Sequence, residues 1–295
     1  MPMLSVVIAS IGRPSLWSTI DTILSDISGL NSEIIVVLDN PNFTLELDIS
    51  SRYPKVQFIQ PLVKLGAAGA YDLGLNTACG QFLRIFSDDD IWVQGSASAL
   101  LGAASQELIT VGATNLRDEL GFAKRSFPKD INRLGVIGSL YQQILPWRRN
   151  PNYLTLVSML LPRKIIGVPF ASTFKTKEDI VWLQKLWESG VRFTSIEAVV
   201  SEAEVSLGRS TKRNTMAQES DFLDFAQERS RKIARQYLFQ HSGRSAAATG
   251  NSKYFLECLK LSLGKKIFPS LIDVLIFKTL FIISFVQKVR ISKND

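Results

Sequence analysis

The chain has 295 residues, 46% of them hydrophobic and 21% charged, which is enough for one large globular domain or a domain with an appendage. Its net charge of +7 is uneven: residues 231–295 hold 12 Lys and Arg against three acids, and the first 230 residues hold 22 against 24. The basic residues are not interleaved with aromatic ones, and nucleic-acid-binding motifs are absent from the sequence, so nucleic acid is excluded as an expected partner. The two cysteines lie far apart without metal-ligand spacing, which favours a reduced, cytoplasmic compartment.

The first third of the chain alternates apolar runs with helical patterns. Continuous runs rich in β-branched residues predict buried strands, and the amphipathic or small-residue segments between them predict helices. The predicted strands are residues 4–9, 33–38, 56–59 and 82–86, and the predicted helices are residues 16–28 and 66–78. This alternation is typical of a parallel, doubly wound α/β sheet, in which ligands bind beyond the carboxyl ends of the strands.

The α/β pattern continues to about residue 208 and then gives way to helices only. Residues 114–153 have no regular pattern, and we expect them to form part of a wall that faces the substrate. The sequence therefore predicts one domain over residues 1–210 and a basic, apolar helical region over residues 211–295. The further predicted elements are helices at residues 96–105 and 177–190 and strands at residues 108–113, 153–161 and 191–200.

Three consecutive carboxylates, Asp88, Asp89 and Asp90, follow the fourth predicted strand directly. Adjacent carboxylates repel one another unless water, a cation or hydrogen-bond donors compensate them. Mg²⁺ and Mn²⁺ bind such oxygens, usually one or two carboxylates together with the phosphates of a substrate. The alternative is a solvated acidic turn. Because Ser10 and Asp39 end neighbouring strands, we expect all five residues to face one crevice.

Several reaction classes lack their motifs in this sequence. The P-loop pattern GxxxxGK[ST] is absent, and the first strand–helix turn lacks the GxGxxG of dinucleotide-binding domains. The GxSxG motif is absent too, and the single histidine, His241, lies in a polar segment far from any candidate nucleophile. Carboxylates are therefore the remaining candidates for chemistry.

The sequence resembles the family 2 glycosyltransferases, which are inverting enzymes of GT-A fold that use nucleotide-diphosphate sugars. The resemblance covers roughly residues 4–210 and rests on motifs in a fixed order: LSVVIAS, EIIVVLDN, GAAGAYDLGLNTACGQFLRIFSDDDIW, SMLLPRKIIG and KEDIVWLQKLWESGVRF. It implies a GT-A type, Rossmann-like, mostly parallel sheet flanked by helices, here with a C-terminal helical appendage. It also implies a divalent metal, Mn²⁺ or Mg²⁺, and a nucleotide-diphosphate sugar as donor.

The resemblance also implies roles for seven residues, five at the donor and two at the acceptor. The donor residues are Ser10 at the nucleotide, Asp39 at the base, Asp88 at the ribose, Asp89 at the metal and Asp90 in support of either neighbour. The acceptor residues are Asp179 as general base and Glu178, which would orient the acceptor or cap its helix. Purely structural alternatives stay open, because Asp39 could form a turn and the Glu178–Asp179 pair could simply favour a helix N-terminus.

Three features depart from the family pattern. The second strand of the family usually ends in Asp-Asp or Asp-Asn directly after four or five apolar residues, whereas here Leu38 intervenes before Asp39. Tyr71-Asp72 replaces the family's Arg-Asn in the Gly-rich helix. The late histidine is absent and residues 207–213 stand in its place, so that Arg209, Lys212 or Arg213 could meet the departing diphosphate.

Residues 267–286 are very apolar and about as long as a membrane span, but Pro269, Asp273 and Lys278 interrupt them. Because basic residues surround this segment, we expect a helix that lies on an anionic membrane surface. The alternatives are packing against the catalytic domain or a dimer contact, and a transmembrane helix is the least favoured.

These observations predict a metal-dependent, inverting transfer of a sugar to a hydroxyl of a glycan or lipid-linked acceptor, in surface polysaccharide biosynthesis. The enzyme is expected to be cytoplasmic and peripheral on the cytoplasmic face of the membrane, and its oligomeric state is left open. Two alternatives remain. One is a nucleotidyltransferase, which also places carboxylates and a metal beside a nucleotide. The other is a GT-A-like domain that has lost catalysis and serves as an assembly partner.

Overall fold

The computed structural model of the chain describes residues 2–45, 48–118, 123–126, 131–141, 154–170, 176–205, 215–243, 251–270 and 273–274, together with residues 128, 174 and 246. The chain forms two compact units. The first comprises residues 1–117, 122–136 and 150–204, and the second comprises residues 118–121, 137–149 and 205–295.

The sheet of the first unit has a parallel part that comes from the first 87 residues. Its strands are β1 (Leu4–Ser10), β2 (Ser32–Leu38), β3 (Val56–Ile59) and β4 (Phe82–Ser87). They lie in the order β3-β2-β1-β4, and all three pairings are parallel. Ser10 pairs with Leu38 and Ala9 pairs with Ser87, so β1, β2 and β4 end at the same edge of the sheet.

The sheet continues beyond β4 with short or antiparallel strands. These are β5 (Ile91–Trp92), β6 (Leu108–Asp118), β7 (Ala123–Ser126), β8 (Met159–Pro162) and β9 (Arg192–Val205). The order runs β4-β8-β6-β9-β5, with β7 paired to β6. β8 is antiparallel to both β4 and β6, and β5 is antiparallel to β9. The predicted α/β fold with a mostly parallel sheet is thus confirmed.

Helices cover both faces of the parallel strands. α1 (Ser15–Asp26) buries its apolar side chains in the same cluster as Val6 and Ile8 of β1. Val7 points to the opposite face, because successive side chains of a strand alternate. There it meets α3 (Gly66–Thr77), where a Cβ on Gly74 would lie 2.3 Å from Cγ1 of Val7. Glycine at position 74 therefore permits the close approach of α3 to β1.

Four further helices are described in this part of the chain. α2 (Ile49–Arg52) and α4 (Ser96–Gly102) are short, and α6 (Glu178–Glu188) precedes β9. α5 (Ile131–Tyr141) is interrupted at Gly135, whose φ is +72°. Single 3₁₀ turns at Leu156–Ser158 and Arg163–Gly167 flank β8.

The second unit is helical where it is described. It contains α7 (Met216–Arg229), α8 (Arg231–Arg235), a π-helical segment at Gln236–Gly243 and α9 (Ser252–Gly264). Its core encloses Glu219, which is 0% exposed and accepts hydrogen bonds from the hydroxyls of Tyr237, Ser242 and Tyr254 at 2.5, 3.0 and 2.8 Å. Three donors compensate this buried carboxylate, as a charge inside a protein requires.

Several predicted element boundaries were wrong. Residues 114–153 were expected to be irregular, yet the described part of them contains the end of β6, β7 and α5. The end of β6 is held in the sheet by its pairing with β7, although its residues are of mixed polarity. Such pairing is a tertiary effect, which a local sequence pattern does not show. The strand expected at residues 153–161 is shorter, and β8 is preceded by a 3₁₀ turn.

Most of the apolar segment 267–286 lies outside the described residues. At its described start, Asp273 is 1% exposed and accepts hydrogen bonds from the amide and hydroxyl of Ser270 at 2.8 and 2.6 Å. Arg235 lies 3.8 Å from the same carboxylate. Within the described residues, no helix combines the length and the apolar character that crossing a membrane would need.

Candidate active site

Three strands bring polar residues to one edge of the parallel sheet. β1 ends at Ser10, Asp39 follows β2 directly, and Asp88 follows β4. The amide of Asp39 donates a hydrogen bond to the carbonyl of Ser10 over 2.7 Å. The structure therefore brings together three of the residues that the sequence predicted at the donor.

Asp39 holds the start of α3. Its Oδ1 accepts a hydrogen bond from the amide of Leu65 at 2.6 Å, and its Oδ2 accepts one from the amide of Gly66 at 2.9 Å. Gly66 has a φ of +76°, a conformation that favours glycine. Asp39 is buried, and its carboxylate fixes the start of α3 through these two hydrogen bonds. Each of its oxygens retains a second lone pair, which a donor group on a base could use.

Asp88 is the buried member of the acidic turn. Its Oδ2 accepts a hydrogen bond from the hydroxyl of Ser10, and its Oδ1 accepts one from the guanidinium of Arg13. The side chain of Asp88 is 0% exposed. A carboxylate buried in this way needs such partners. A ribose hydroxyl that bound Asp88 would therefore have to share a carboxylate oxygen with Ser10 or Arg13, or displace one of them.

Asp89 is the exposed member of the same turn. Its Oδ1 accepts a hydrogen bond from the hydroxyl of Ser87, and its Oδ2 lies 3.7 Å from Nη1 of Arg13. The side chain of Asp89 is 36% exposed, and Asp90 beside it is half-buried. Of the three carboxylates, Asp89 is the one most open to an incoming ligand.

The late acidic pair, Glu178 and Asp179, begins α6 and is half-buried. The pKa of Glu178 is raised to about 7, by burial first and then by the charge of Asp179, while a backbone hydrogen bond and the charge of Lys177 lower it. Burial also raises the pKa of Asp179, against backbone hydrogen bonds and the charge of Lys177. Lys177 itself has a φ of +62°, which is strained for a residue other than glycine.

Tyr71 of α3 lies within electrostatic range of both acidic groups. The pKa of its phenol is raised by burial first, and then by the charges of Asp90, Asp89, Asp179 and Glu178. Four carboxylates from two distant parts of the sequence therefore lie near one side chain. The structure brings the acidic turn and the late acidic pair into the neighbourhood of Tyr71.

An aromatic stack links α3 to α6. The ring of Tyr71 lies 5.4 Å from that of Phe170, which stacks on Trp182 at 4.1 Å and 12°. The amide of Phe170 donates a hydrogen bond to Asp72 over 2.8 Å, and Nε1 of Trp182 donates to the carbonyl of Val168 over 2.7 Å. The segment before α6 is thus attached to α3. Tyr71-Asp72, which departs from the family pattern, makes both attachments.

A buried arginine lies behind the acidic turn. The guanidinium of Arg84, which is 0% exposed, lies 3.6 Å from the centre of the Trp92 ring and donates to Oγ of Ser96 over 2.8 Å. Burial lowers the pKa of Arg84 to about 9, and the charge of Asp26 raises it. Asp26 in turn accepts a hydrogen bond from Nε1 of Trp92 at 2.8 Å. This network fixes the strand before the turn and the residues after it.

A comparison with protein families shows to which family the chain belongs. The model of "Glycosyl transferase family 2" matches residues 5–166, which is more than half of the chain. The chain belongs to the family 2 glycosyltransferases. The resemblance predicted from the motifs is therefore confirmed, and the matched range includes Ser10, Asp39 and the whole acidic turn. No curated protein matches the sequence of this chain.

Solved glycosyltransferase structures share the fold. S. aureus TarS 1-349 in complex with UDP-GlcNAc matches at 12% identity and a TM-score of 0.55, over 87% of this chain and 79% of that one. The mannosyltransferase PcManGT from Pyrobaculum calidifontis, in complex with GDP-Man and Mn²⁺, matches at 12% identity and a TM-score of 0.53, over 99% and 83%. At this identity the likeness shows the fold alone.

The residues of this glycosyltransferase fit a metal that arrives with its substrate. Among the described residues, no three or more His, Cys, Asp or Glu side chains are grouped to hold an ion by themselves. The exposed Asp89, with Asp90 beside it, offers carboxylate oxygens for a hard cation. Mg²⁺ in particular is commonly bound by one or two carboxylates plus substrate phosphates. The donor set is therefore suitable for a metal–diphosphate complex.

Sequence reasoning missed the basic and aromatic partners of these acids. Arg13 pairs with Asp88 and Asp89, and Arg84 supports the turn from behind. An arginine directly after the first predicted strand, preceded by Gly12, was a signal that could have identified Arg13, because such a turn faces the ends of the neighbouring strands. Arg209, Lys212 and Arg213, which the sequence suggested for the diphosphate, lie outside the described residues.

Proposed function

We propose that this family 2 glycosyltransferase transfers a sugar, with inversion, from a nucleotide-diphosphate sugar to a hydroxyl of a glycan or lipid-linked acceptor. A place in surface polysaccharide biosynthesis is part of the proposal. The observation that supports it most is the gathering of two acidic groups around Tyr71. A displacement needs one group to hold the leaving diphosphate and another to take the proton of the acceptor.

The donor would bind at the ends of β1, β2 and β4. We propose that Ser10, Asp39, Asp88 and Asp90 contact the nucleotide diphosphate and that Asp89 holds Mn²⁺ or Mg²⁺. A divalent ion there would offset, as a Lewis acid, the negative charge that develops on the departing diphosphate. Two structures of the same fold support the donor class and the metal, since one holds UDP-GlcNAc and the other holds GDP-Man and Mn²⁺.

The acceptor would be activated at the start of α6. The pKa of an alcohol lies far above 7, so a carboxylate within hydrogen-bond reach must take the proton as attack proceeds. We propose that Asp179 does this, because the family resemblance implies it as the general base; burial raises its pKa, as it raises that of Glu178, and so makes the carboxylate a stronger base. Adjacent residues on a helix diverge by about 100°. Glu178 therefore points elsewhere and would orient the acceptor.

We further propose that residues 1–210 form the GT-A domain and that residues 211–295 associate with anionic lipid at the cytoplasmic face of the membrane. The 12 Lys and Arg in residues 231–295, against three acids, support this part of the proposal. Co-sedimentation with anionic vesicles and with neutral vesicles tests it. Equal binding to both would contradict an electrostatic association.

Product analysis tests the reaction. The protein is incubated with Mn²⁺ and a panel of nucleotide sugars, and slow hydrolysis of the donor serves as a readout that needs no acceptor. Release of free nucleoside diphosphate with free sugar is the expected result. Release of pyrophosphate in a parallel reaction that supplies a nucleoside triphosphate and a sugar 1-phosphate would instead identify a nucleotidyltransferase. If calorimetry with Mn²⁺ detected no nucleotide binding at all, the chain would be an inactive assembly partner.

A further inference from the structure

The turn after β1 brings an arginine to the acidic residues after β4. Gly12 has a φ of +84°, and its amide donates a hydrogen bond to Oγ of Ser10 over 2.8 Å. A Cβ at this position would lie 2.2 Å from Cδ2 of Phe43, so glycine is required both for its conformation and for space. The path of the chain into Arg13 is therefore fixed by the surrounding structure.

Arg13 contacts two carboxylates that differ in exposure. Its guanidinium donates a hydrogen bond to Asp88, whose side chain is 0% exposed, and Nη1 lies 3.7 Å from Oδ2 of Asp89, whose side chain is 36% exposed. Ser10 donates to the other oxygen of Asp88. The ion pair with Asp89 is longer and nearer to water, so it is the weaker of the two and the easier to exchange.

Asp89 is also the residue to which the proposed function assigns the divalent cation. A guanidinium and a divalent cation beside the same carboxylate repel one another at this distance. A diphosphate supplies the negative charge that would satisfy both cations. Arginine binds phosphate oxygens well, because its planar fork of donors matches their geometry.

We propose that Arg13 is an exchangeable counter-ion of the acidic turn: it neutralises Asp89 in the donor-free enzyme, gives that carboxylate up to a divalent cation, and then pairs with the nucleoside diphosphate. The inference rests on the proposed function and deepens it. Arg13 disfavours the cation alone and favours the cation together with the diphosphate. The two ligands are therefore coupled, and each raises the affinity for the other.

Binding of Mn²⁺ alone and with a nucleoside diphosphate measures this coupling without any turnover. Free Mn²⁺ is followed by its electron paramagnetic resonance signal, at constant ionic strength, in the absence and presence of saturating UDP or GDP. The proteins compared are the wild type, Arg13→Gln, Arg13→Lys and the control Arg52→Gln. Arg52 is an exposed arginine of α2 whose guanidinium lies over Tyr53, so the control removes the same charge elsewhere in the first unit.

We expect Arg13→Gln to bind Mn²⁺ alone about tenfold more tightly than the wild type, since a repelling cation is gone. The same variant should bind the nucleoside diphosphate about tenfold more weakly, because one of its cationic partners is gone. The ratio of the two Mn²⁺ affinities, with and without nucleotide, therefore falls about tenfold, because the loss of nucleotide affinity belongs to the Mn²⁺-loaded protein, in which Arg13 has left Asp89. Arg13→Lys should lie nearer to the wild type, and Arg52→Gln should match it.

An unchanged or weaker affinity of folded Arg13→Gln for Mn²⁺ alone would overturn the proposal, because Arg13 would then not compete with the ion for Asp89. If this variant does not fold, Arg13→Gln with Asp88→Asn removes both members of the buried pair and leaves Asp89 in place. The same tenfold gain is expected there relative to Asp88→Asn alone, since only Arg13 then differs between the two proteins, and its absence would also overturn the proposal. A wild type that binds no Mn²⁺–nucleotide complex would instead contradict the proposed donor site itself.

Discussion

The two acidic groups of this glycosyltransferase use the same residue types in opposite surroundings. In the turn after β4, Asp88 is held by a guanidinium and a hydroxyl, and Asp89 by a hydroxyl and a more distant guanidinium. At the start of α6, Glu178 and Asp179 stand side by side, and burial raises the pKa of both. Among the contacts described above, only the carboxylates of the first group accept hydrogen bonds from side chains.

The different surroundings make the two acidic groups suitable for different chemistry. A carboxylate surrounded by hydrogen-bond donors keeps its charge compensated and can exchange one cation for another. A carboxylate that is buried beside a second acid holds a proton more readily and is suited to proton transfer near neutral pH. These surroundings agree with the proposed function, in which the turn binds a cation and the start of α6 takes part in proton transfer.

The largest expected effect is the loss of the exposed carboxylate of the turn. Asp89→Asn should lower turnover of the nucleotide sugar by about a thousandfold or more, since it removes the charge that we propose to hold the metal on the diphosphate. It should also weaken Mn²⁺-dependent nucleotide binding. Steady-state kinetics and calorimetry measure the two effects separately.

Asp48→Asn is the matched control for this change, because Asp48 is exposed beside α2 and its side chain makes no capping hydrogen bond there. The control should behave as the wild type. Normal activity of Asp89→Asn would contradict the difference proposed between the two acidic groups, because turnover would then not need the negative charge of the turn.

The second prediction separates the two acids of α6. Asp179→Asn should lower kcat by roughly a hundredfold or more, the usual scale for loss of a general base, with little change in donor binding. Glu178→Gln should cost less and act mainly through the KM of the acceptor. Steady-state kinetics of these two isosteric variants, purified by the same procedure, show directly which substitution lowers kcat more. The reverse order would assign the base to Glu178.

The sequence predicted the strands and the acids better than it predicted what surrounds them. Continuous apolar runs identified β1, β2 and β4 with their polar ends, because strand burial and side-chain chemistry are local properties of the sequence. It did not predict that Arg13 reaches Asp88 or that Arg84 stacks on Trp92. Those contacts depend on a turn geometry and on strand packing that bring together residues 75 and 8 positions apart.

The start of α6 illustrates the same limit. The motif indicated two adjacent acids at a helix N-terminus, but not that Lys177 would precede them in a left-handed conformation. Nor did it indicate that Phe170 and Trp182 would stack and attach this segment to Tyr71 and Asp72 of α3. Contacts between residues about a hundred positions apart are tertiary effects, which no local pattern encodes.

The smallest expected effect is on stability, and it follows from the raised pKa of Glu178. The native state binds this proton up to about pH 7, whereas an unfolded glutamate releases it near 4.3. Between these two values the native state holds more protons, so its free energy of unfolding falls as the pH rises. Above about pH 7 the carboxylate is ionised beside Asp179, and only Lys177 and a backbone hydrogen bond oppose the cost.

Glu178→Gln removes this titration and should therefore stabilise the protein at pH 8 relative to the wild type. We expect a Tm higher by a few degrees, at roughly 2–4 °C for each kcal/mol, and a gain that shrinks as the pH is lowered to 5. Thermal unfolding from pH 5 to 8.5 measures it, with Glu197→Gln, an exposed acid of β9, as control for the loss of one negative charge. Glu178→Gln and wild-type Tm curves that run parallel across this range would show that Glu178 titrates alike in both states. Folding would then not raise the pKa of Glu178, and the two acidic groups would not differ in proton affinity.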